Sequence, residues 1–277
     1  MRTAIIDADV LCYYSSMVKE GQEALEWDTE VTTGGELEEA IKFSEEKLDE
    51  WLKISQCRDF RLVFSGERDA NWRREIHPEY KRKRTAEKPS SYADLRKYLE
   101  DNYLSYSFRN LEGDDVCGLM LTTPPEKRYG MWRFTEEDTP VVVSSDKDIY
   151  TLPGWLVRIA HSSKPQEEPF LNTTQAADRF WMTQVLTGDP VDEYRGCPGV
   201  GPKRAEVVLR DRGNIIDMMS AVKDEYHKQA HHPRWGNKFI DSWHREYTMN
   251  MRAARILRWG DYDFENEEVT FDGLKQR

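Results

Sequence analysis

Three carboxylates, Glu112, Asp114 and Asp115, fall within four residues of Leu111-Glu-Gly-Asp-Asp-Val-Cys-Gly-Leu-Met120. Val116, Leu119 and Met120 have the spacing of the buried side of a short helix, and Pro124-Pro125 stops whatever follows. Two readings fit this stretch. Acids at a helix start interact favourably with its free amides and dipole. Three acids against apolar residues also repel one another unless a cation or bound protons compensate. Further acids recur in related settings. Asp7 closes the apolar run Thr3-Ala-Ile-Ile6, and Asp146 and Asp148 follow Pro140-Val-Val-Val143. Asp189 and Asp192 follow a helical stretch. In open α/β sheets the carboxyl ends of strands are where ligands bind. Asp9 reads as a cap or a support rather than a ligand.

Carboxylate oxygens with no matching His/Cys set favour Mg²⁺, with Mn²⁺ as a substitute. This many acids suggests two nearby ions, an arrangement that activates water, stabilises a transferring phosphoryl group and assists the departing oxygen. No Ser-His-Asp arrangement or activated cysteine is apparent. Gly199-Val-Gly-Pro-Lys203 lacks the spacing and the hydroxyl of a Walker motif. Metal-dependent phosphodiester hydrolysis therefore ranks first from residue chemistry.

The elements that must position these acids alternate. Strands are expected at 3–6, 60–64 and 140–143, with a peripheral one at 155–159. Helices are expected from Leu11 to Val18, over 37–54 and 85–104, from Asn172 to Leu186, over 203–209 and 214–226, and from Lys238 to Trp259. The tail after Asp261 reads as acidic and peripheral. This predicts an α/β fold with a central, mostly parallel sheet flanked by helices. The expected division is a core over 1–170, including a basic region at about 71–105, and a helical DNA-binding region over 171–277. The chain has 277 residues, 33% of them charged and 38% apolar, and no apolar run approaches a membrane span. Met1-Arg-Thr-Ala-Ile-Ile-Asp places an acid too early for a signal peptide. Cys12, Cys57, Cys117 and Cys197 form no CxxC pair, so buried free thiols are expected.

The net charge of -11 is unevenly spread. Residues 20–50 hold twelve Asp/Glu against two Lys, whereas residues 68–88 hold eight Lys/Arg against four Asp/Glu. Such a chain can bind a polyanion if its cations gather on one surface. In Asn71 to Arg84, the cations Arg73, Arg74, Lys81, Arg82, Lys83 and Arg84 interleave with Trp72 and Tyr80. This suits a nucleic-acid surface, with cations on phosphates and rings on bases. A solvated loop with its aromatics anchored in the core fits equally. Gly199-Val200-Gly201 opens onto a helix beginning near Lys203 and Arg204. Exposed amides at a helix start suit a phosphate, and an ordinary turn between helices is the alternative. His231-His232 reads as loop.

Taken in order, Ile5-Ile-Asp7, Pro78-Glu-Tyr-Lys81 with Arg84, Glu112-Gly-Asp-Asp115, Ser145-Asp-Lys-Asp148, and Gly188-Asp189 through Gly199-Val-Gly-Pro-Lys203 resemble the signature blocks of the structure-specific 5′ nuclease family. This is the flap endonuclease and 5′→3′ exonuclease group, and the chain is most similar to a stand-alone phage replication exonuclease of the T7-like gene 6 type. The resemblance implies a PIN-like core, a helical arch and a helix–hairpin–helix-like element at 196–205. It assigns Asp7, Glu112 and Asp114 to one metal group, joined by Asp115, Asp146 and Asp148, and Asp189 and Asp192 to the second metal region. It gives Lys81 and Arg84 the base of the arch, and gives Gly199, Gly201, Lys203 and Arg204 the duplex backbone. The implied activity is 5′→3′ hydrolysis of duplex DNA, with flap cleavage and RNA primer removal from RNA–DNA hybrids. The implied setting is a monomer in the cytoplasm of an infected host, alongside replication proteins. The sequence departs from the pattern at Ser65, where an aspartate is usual and where Asp69 or Glu67 would have to compensate. It also departs at Gly113 for alanine and at Glu193 for asparagine. A dedicated flap or hybrid endonuclease and a catalytically weak DNA-binding replication factor are the competing readings.

Overall fold

In the computed structural model, the structure describes residues 1–17, 36–83, 87–160, 166–234 and 239–273. The chain divides into two compact units: Met1–Ala70, Thr85–Ile149 and Gly154–Leu171 form the first, and Asn71–Arg84, Tyr150–Pro153 and Asn172–Arg277 the second.

The first unit is built on β1 (Arg2–Asp7), followed by helices α1 (Ala8–Met17) and α2 (Leu37–Ser55) and strand β2 (Asp59–Val63). The short helix α3 (Trp72–Ile76) belongs to the second unit. Next come α4 (Tyr92–Asn102), β3 (Ser105–Tyr106), α5 (Gly113–Thr122), α6 (Pro125–Trp132), β4 (Thr139–Ser144), β5 (Gly154–Arg158) and β6 (Phe170–Asn172). The six strands form one sheet in the order β3-β2-β1-β4-β5-β6. The pairings of β1 with β2 and β4, of β2 with β3 and of β4 with β5 are parallel. The chain winds outward from β1 on one side and then resumes at β4 on the other. Between β1 and β4 the direction of winding reverses, and a crevice forms at the carboxyl ends of such strands.

The short apolar strands follow from burial on both faces. Ala4, Ile6, Leu62, Phe64, Val141 and Val143 share a core with Leu11, Leu48, Trp51, Leu95 and Leu99 from α1, α2 and α4. By the two-residue period of a strand, Ile5, Val63 and Val142, all fully buried, point to the opposite face. Helix α5 contacts β1, β2 and β4, and its Val116, Leu119 and Met120 are fully buried.

The second unit contains α7 (Thr174–Thr187), α8 (Pro202–Leu209), α9 (Ile215–Ala230), α10 (Trp243–Ala253) and a small antiparallel pair, β7 (Tyr262–Asp263) and β8 (Glu268–Val269). Trp181, Met182, Tyr226, Tyr247 and Met251 form its core. Thr173 and Asn214 cap α7 and α9 through their side-chain oxygens.

Several boundaries differ from the sequence expectation. Helix α10 stops at Ala253, well short of Trp259. The Asp261 carboxylate accepts from the Arg258 amide (2.9 Å) and from Arg255 Nε (3.0 Å), which turns the chain out of the helix. Of the expected start, Lys238 lies outside the described residues. Of the helix expected over 85–104, residues 85–86 lie outside the described residues; helix α4 spans Tyr92–Asn102, and Pro89 disfavours helix at Lys88 before it. Strand β5 is not peripheral, since β6 lies beyond it. The tail forms β7 and β8, and Phe271 packs on Trp181 with ring centroids 5.7 Å apart. Of the first expected helix, Val18 lies outside the described residues. All four cysteines are buried and free, and among the described residues no helix is long and apolar enough to cross a membrane.

Candidate active site

The acids of the first unit gather at the carboxyl ends of β1 and β4. Ile6 pairs in register with Val143, which sets Asp7 beside Ser144. The Ser144 hydroxyl donates to Asp7 Oδ2 at 3.0 Å. Asp146 lies two residues beyond the end of β4, and its Oδ1 accepts from the Asp148 amide at 2.9 Å. Burial pushes the Asp7 carboxyl up to about 7, with the charge of Asp9 and then that of Asp146 adding to the effect against the Ser144 hydrogen bond. Asp7 and Asp146 thus feel one another across the two strands.

Helix α5 brings the second set. Ligand oxygens of Glu112, Asp114 and Asp115 lie within 4.8 Å of one another. Glu112 and Asp115 also form a reciprocal capping box, with Asp115 Oδ2 accepting from the Glu112 amide at 3.4 Å. Asp114 Oδ1 accepts from the Asp115 amide at 2.7 Å. Capping and convergence are therefore both present, and the same side chains serve each. A Cβ added at Gly113 would lie 3.6 Å from Asp7 Oδ1 and 3.6 Å from Asp9 Oδ2, so the β1 acids and the start of α5 meet at this glycine. Burial raises the Cys117 thiol well above its ordinary value, with the charges of Asp7 and Asp114 adding to the effect. The charges of these acids disfavour a further anion there and favour a cation.

An all-oxygen donor set with no histidine or cysteine ligand fits a hard divalent cation. The charges of Asp9 and Asp146, which add to burial in raising the proton affinity of Asp7, would equally favour a cation there.

The position after β2 is where the sequence lacks an acid. Ser65 caps α5 instead, its hydroxyl accepting from the Gly113 amide at 2.9 Å. Neither proposed substitute turns inward. Glu67 is exposed and pairs with Arg109 at 3.1 Å, and Asp69 is exposed on a short turn. Asp9 is the acid that faces Ser65, its Oδ2 accepting from the Ser65 amide at 2.7 Å. Sequence reasoning placed Asp9 in a supporting role, and the two-residue step from Asp7 was the signal for it.

In the second unit, Asp189 and Asp192 are buried. Asp189 Oδ1 accepts from the Val191 amide at 2.8 Å. Asp192 Oδ2 accepts from the Tyr80 hydroxyl at 3.1 Å and lies 3.6 Å from Lys81 Nζ. Lys83 Nζ lies 3.3 Å from Glu193. Lys81 is held at φ +50°, the left-handed region that lysine rarely adopts.

The basic segment is less uniform than its composition suggests. Arg73 is 2% exposed and donates to the carbonyls of Ala253 (3.1 Å) and Arg255 (2.6 Å), capping the end of α10. Its expected DNA contact is therefore corrected to a structural role, because a guanidinium buried on two carbonyls does not reach a phosphate. Trp72 and Tyr80, each 2% exposed, are core residues rather than stacking platforms. Arg82 and Lys83 are exposed, Arg74 is half-buried, and Arg84 lies outside the described residues.

Gly199 has φ +73°, which a side chain would oppose, while Gly201 caps α8 in an extended conformation. Lys203 is exposed at this helix start. Arg204 is turned away to the buried Glu225, with Nε at 2.8 Å and a terminal nitrogen at 2.6 Å. The expected phosphate contact of Arg204 is corrected accordingly, since its charge is already matched by a carboxylate.

No family model matches the chain. It is 27% identical over 258 residues to the exodeoxyribonuclease of Enterobacteria phage T3, covering 84% of this chain and 78% of that one. It is 26% identical over 258 residues, with the same coverage, to the exonuclease of Escherichia phage T7. Among solved structures, the T5 5′-exonuclease with zinc bound matches with a TM-score of 0.57 at 17% identity, covering 91% of this chain and 89% of that chain. That likeness shows the shared fold. With parallel sheet, acidic crevice and these relatives together, the chain is similar to the structure-specific 5′ nucleases, and it is a nuclease. Its likeness to the phage T3 and T7 enzymes runs along most of its length.

Proposed function

We propose that the chain is a Mg²⁺-dependent 5′→3′ exodeoxyribonuclease that removes nucleotides from the 5′ ends of duplex DNA during phage replication. Flap cleavage and removal of RNA primers from RNA–DNA hybrids belong to the same reading. It acts as a monomer in the cytoplasm of the infected host, beside other replication proteins. The observation that carries the proposal is the meeting of Asp7, Asp146 and the Glu112/Asp114/Asp115 group at the carboxyl ends of β1 and β4. Capping and solubility do not require acids from three separate segments to converge.

Asp7, Glu112 and Asp114 would hold the first Mg²⁺, with Asp115, Asp146 and Asp148 joining or supporting the cluster. Asp189 and Asp192 are assigned to a second ion by the sequence resemblance. Divalent ions held there would supply charge neutralisation for the phosphate and a more acidic water. The chain's own side chains orient that chemistry. Asp115 and Glu112 lock the start of α5, Ser144 fixes the Asp7 carboxylate, and Asp146 anchors the turn after β4. Hydrolysis breaks the bond between phosphorus and the 3′ oxygen, leaving a 3′ hydroxyl on the released nucleotide and a new 5′ phosphate on the shortened strand. Lys81 and Arg84 are assigned to the phosphate near the cleavage point, Arg74, Arg82 and Lys83 to the strand, and Gly199, Gly201 and Lys203 to the duplex backbone.

The test is digestion of a 5′-labelled blunt duplex, a flap and an RNA–DNA hybrid in Mg²⁺ with an EDTA control. Mg²⁺-dependent release of 5′-phosphorylated products from the blunt duplex is expected. Incision confined to flaps would make the enzyme an endonuclease, and metal-independent binding without cleavage would make it a replication factor.

A further inference from the structure

We propose that Asp9 is a positioning residue that ties helix α4 and the loop after β2 to the acidic centre, so that cation binding and anchorage of α4 are coupled. An acid in the first turn of a helix ordinarily caps its own amides. Asp9 lies in the first turn of α1, yet its hydrogen bonds leave that helix. Its Oδ1 accepts from the Tyr92 hydroxyl at 2.7 Å, and its Oδ2 accepts from the Ser65 amide at 2.7 Å. Arg96, one turn beyond Tyr92 on α4, lies 4.0 Å from Oδ1 and donates to the Ser65 carbonyl at 2.9 Å. Its guanidinium also rests on the Phe64 ring, 4.9 Å from the centroid. The Ser65 hydroxyl then accepts from Gly113 at the start of α5. A continuous chain of contacts, Tyr92 to Asp9 to Ser65 to Gly113, therefore runs from α4 to the helix that carries Asp114 and Asp115.

The charges around this clamp give it a direction. Lys88 stands 3.9 Å from the Tyr92 ring centroid. Tyr92 and Arg96, four residues apart, lie on one helical face. Among the described residues, Arg96 of α4 lies 4.0 Å from Asp9, and the charge of Asp9 also acts on Lys88 in the segment before α4. Asp7 and Asp9 meet at Gly113 from β1 and α1. A divalent ion seated on Asp7 and the α5 acids would draw on the same negative charge that now holds Arg96. Two ligands sharing one charge are coupled, and the coupling is reciprocal. Asp9 is thereby the point at which the helix following the basic segment senses the state of the centre.

The coupling rests on the metal-centre reading, whereas the clamp does not. Both are tested on the whole chain. Hydrogen exchange of the 92–102 amides is measured in EDTA for the wild type, Asp9→Asn and Tyr92→Phe. Mn²⁺ binding without DNA is measured by calorimetry on the same three proteins. In EDTA each variant should lose about tenfold of its α4 protection, the effect of a hydrogen bond to a charged group. Asp9→Asn should weaken Mn²⁺ binding about tenfold or more, as loss of a partner behind metal ligands does. Tyr92→Phe keeps the carboxylate and should change Mn²⁺ affinity far less. A purely structural Asp9 would make the two variants alike in Mn²⁺ affinity and so overturn the positioning role. Unchanged α4 protection in both variants would overturn the clamp. A wild type that binds no Mn²⁺ would sink the metal-centre reading and the coupling with it, while the exchange arm would still decide the clamp.

Discussion

Replacing Asp7 with asparagine should make the metal-free protein more stable while destroying its activity. Asp7 is 9% exposed, and burial with the charges of Asp9 and Asp146 carries its carboxyl from 3.8 to about 7. At roughly 1.4 kcal/mol per tenfold in proton affinity, holding the ionised form in the folded state costs about 4 kcal/mol. Because the folded value lies above the unfolded one, the protonated folded state is favoured. The stability associated with that proton is complete below about pH 4 and is lost as pH rises through about 7. Asparagine removes the charge and keeps an oxygen for the Ser144 hydroxyl. In EDTA at pH 8, Asp7→Asn should gain between about 1 and 4 kcal/mol, the lower figure allowing for local relaxation and solvent access. In a chain of this size that is a rise in Tm of about 2–4 °C per kcal/mol. At pH 5 the gain should fall to roughly half or less, and Mg²⁺ should raise the wild-type Tm at pH 8 without raising that of the variant. Thermal melts of both proteins at pH 5 and pH 8, with EDTA or Mg²⁺, read all of these. A variant less stable than the wild type in EDTA at pH 8, or an equal gain at both pH values, would refute the electrostatic account.

Asp114→Asn and Asp146→Asn should each lower single-turnover cleavage by about 100-fold or more while DNA affinity in EDTA holds; equal cleavage at saturating Mg²⁺ would remove either from the centre. Lys203→Ala should reduce the salt dependence of duplex binding by roughly one phosphate contact, a slope change of about 0.9 in log affinity against log salt, and an unchanged slope would take Lys203 off the backbone. Arg204→Ala should leave that slope alone and instead destabilise the fold, because it strands the buried Glu225 carboxylate; urea melts and salt titration on the same variant separate the two effects. Arg73→Ala should cost about 3 kcal/mol of stability through the orphaned carbonyls of Ala253 and Arg255, and a variant as stable as the wild type with weakened DNA binding would restore the surface role assigned from composition.

The sequence by itself determined the elements with strong local signals. Thr3 to Ile6 and Pro140 to Val143 are apolar runs whose only economical use is a strand buried on both faces, and Asp7 and Asp146 lie at or just beyond their carboxyl ends. The helices expected from Asn172 and over 214–226 are present, and the side-chain oxygens of Thr173 and Asn214 satisfy orphan amides at their starts. The order of the acidic blocks carried the family resemblance, and the relatives agree with it. What residue types could not reveal was how each charge is spent. Arg73, Arg74, Arg82 and Lys83 look alike in sequence, yet Arg73 ends up capping α10 from 180 residues away because two carbonyls there lacked donors. Arg204 looked like half of a phosphate site until Glu225 on the next helix claimed it. The end of α10 depended on Asp261, whose carboxylate folds back to capture the Arg258 amide, and no periodicity reports such a contact. Ser65 seemed a missing ligand, but in the fold it caps α5 and holds Asp9. Local pattern specifies which groups must be buried or solvated. Only the folded chain decides which buried charge meets which partner, because those meetings join positions far apart in sequence.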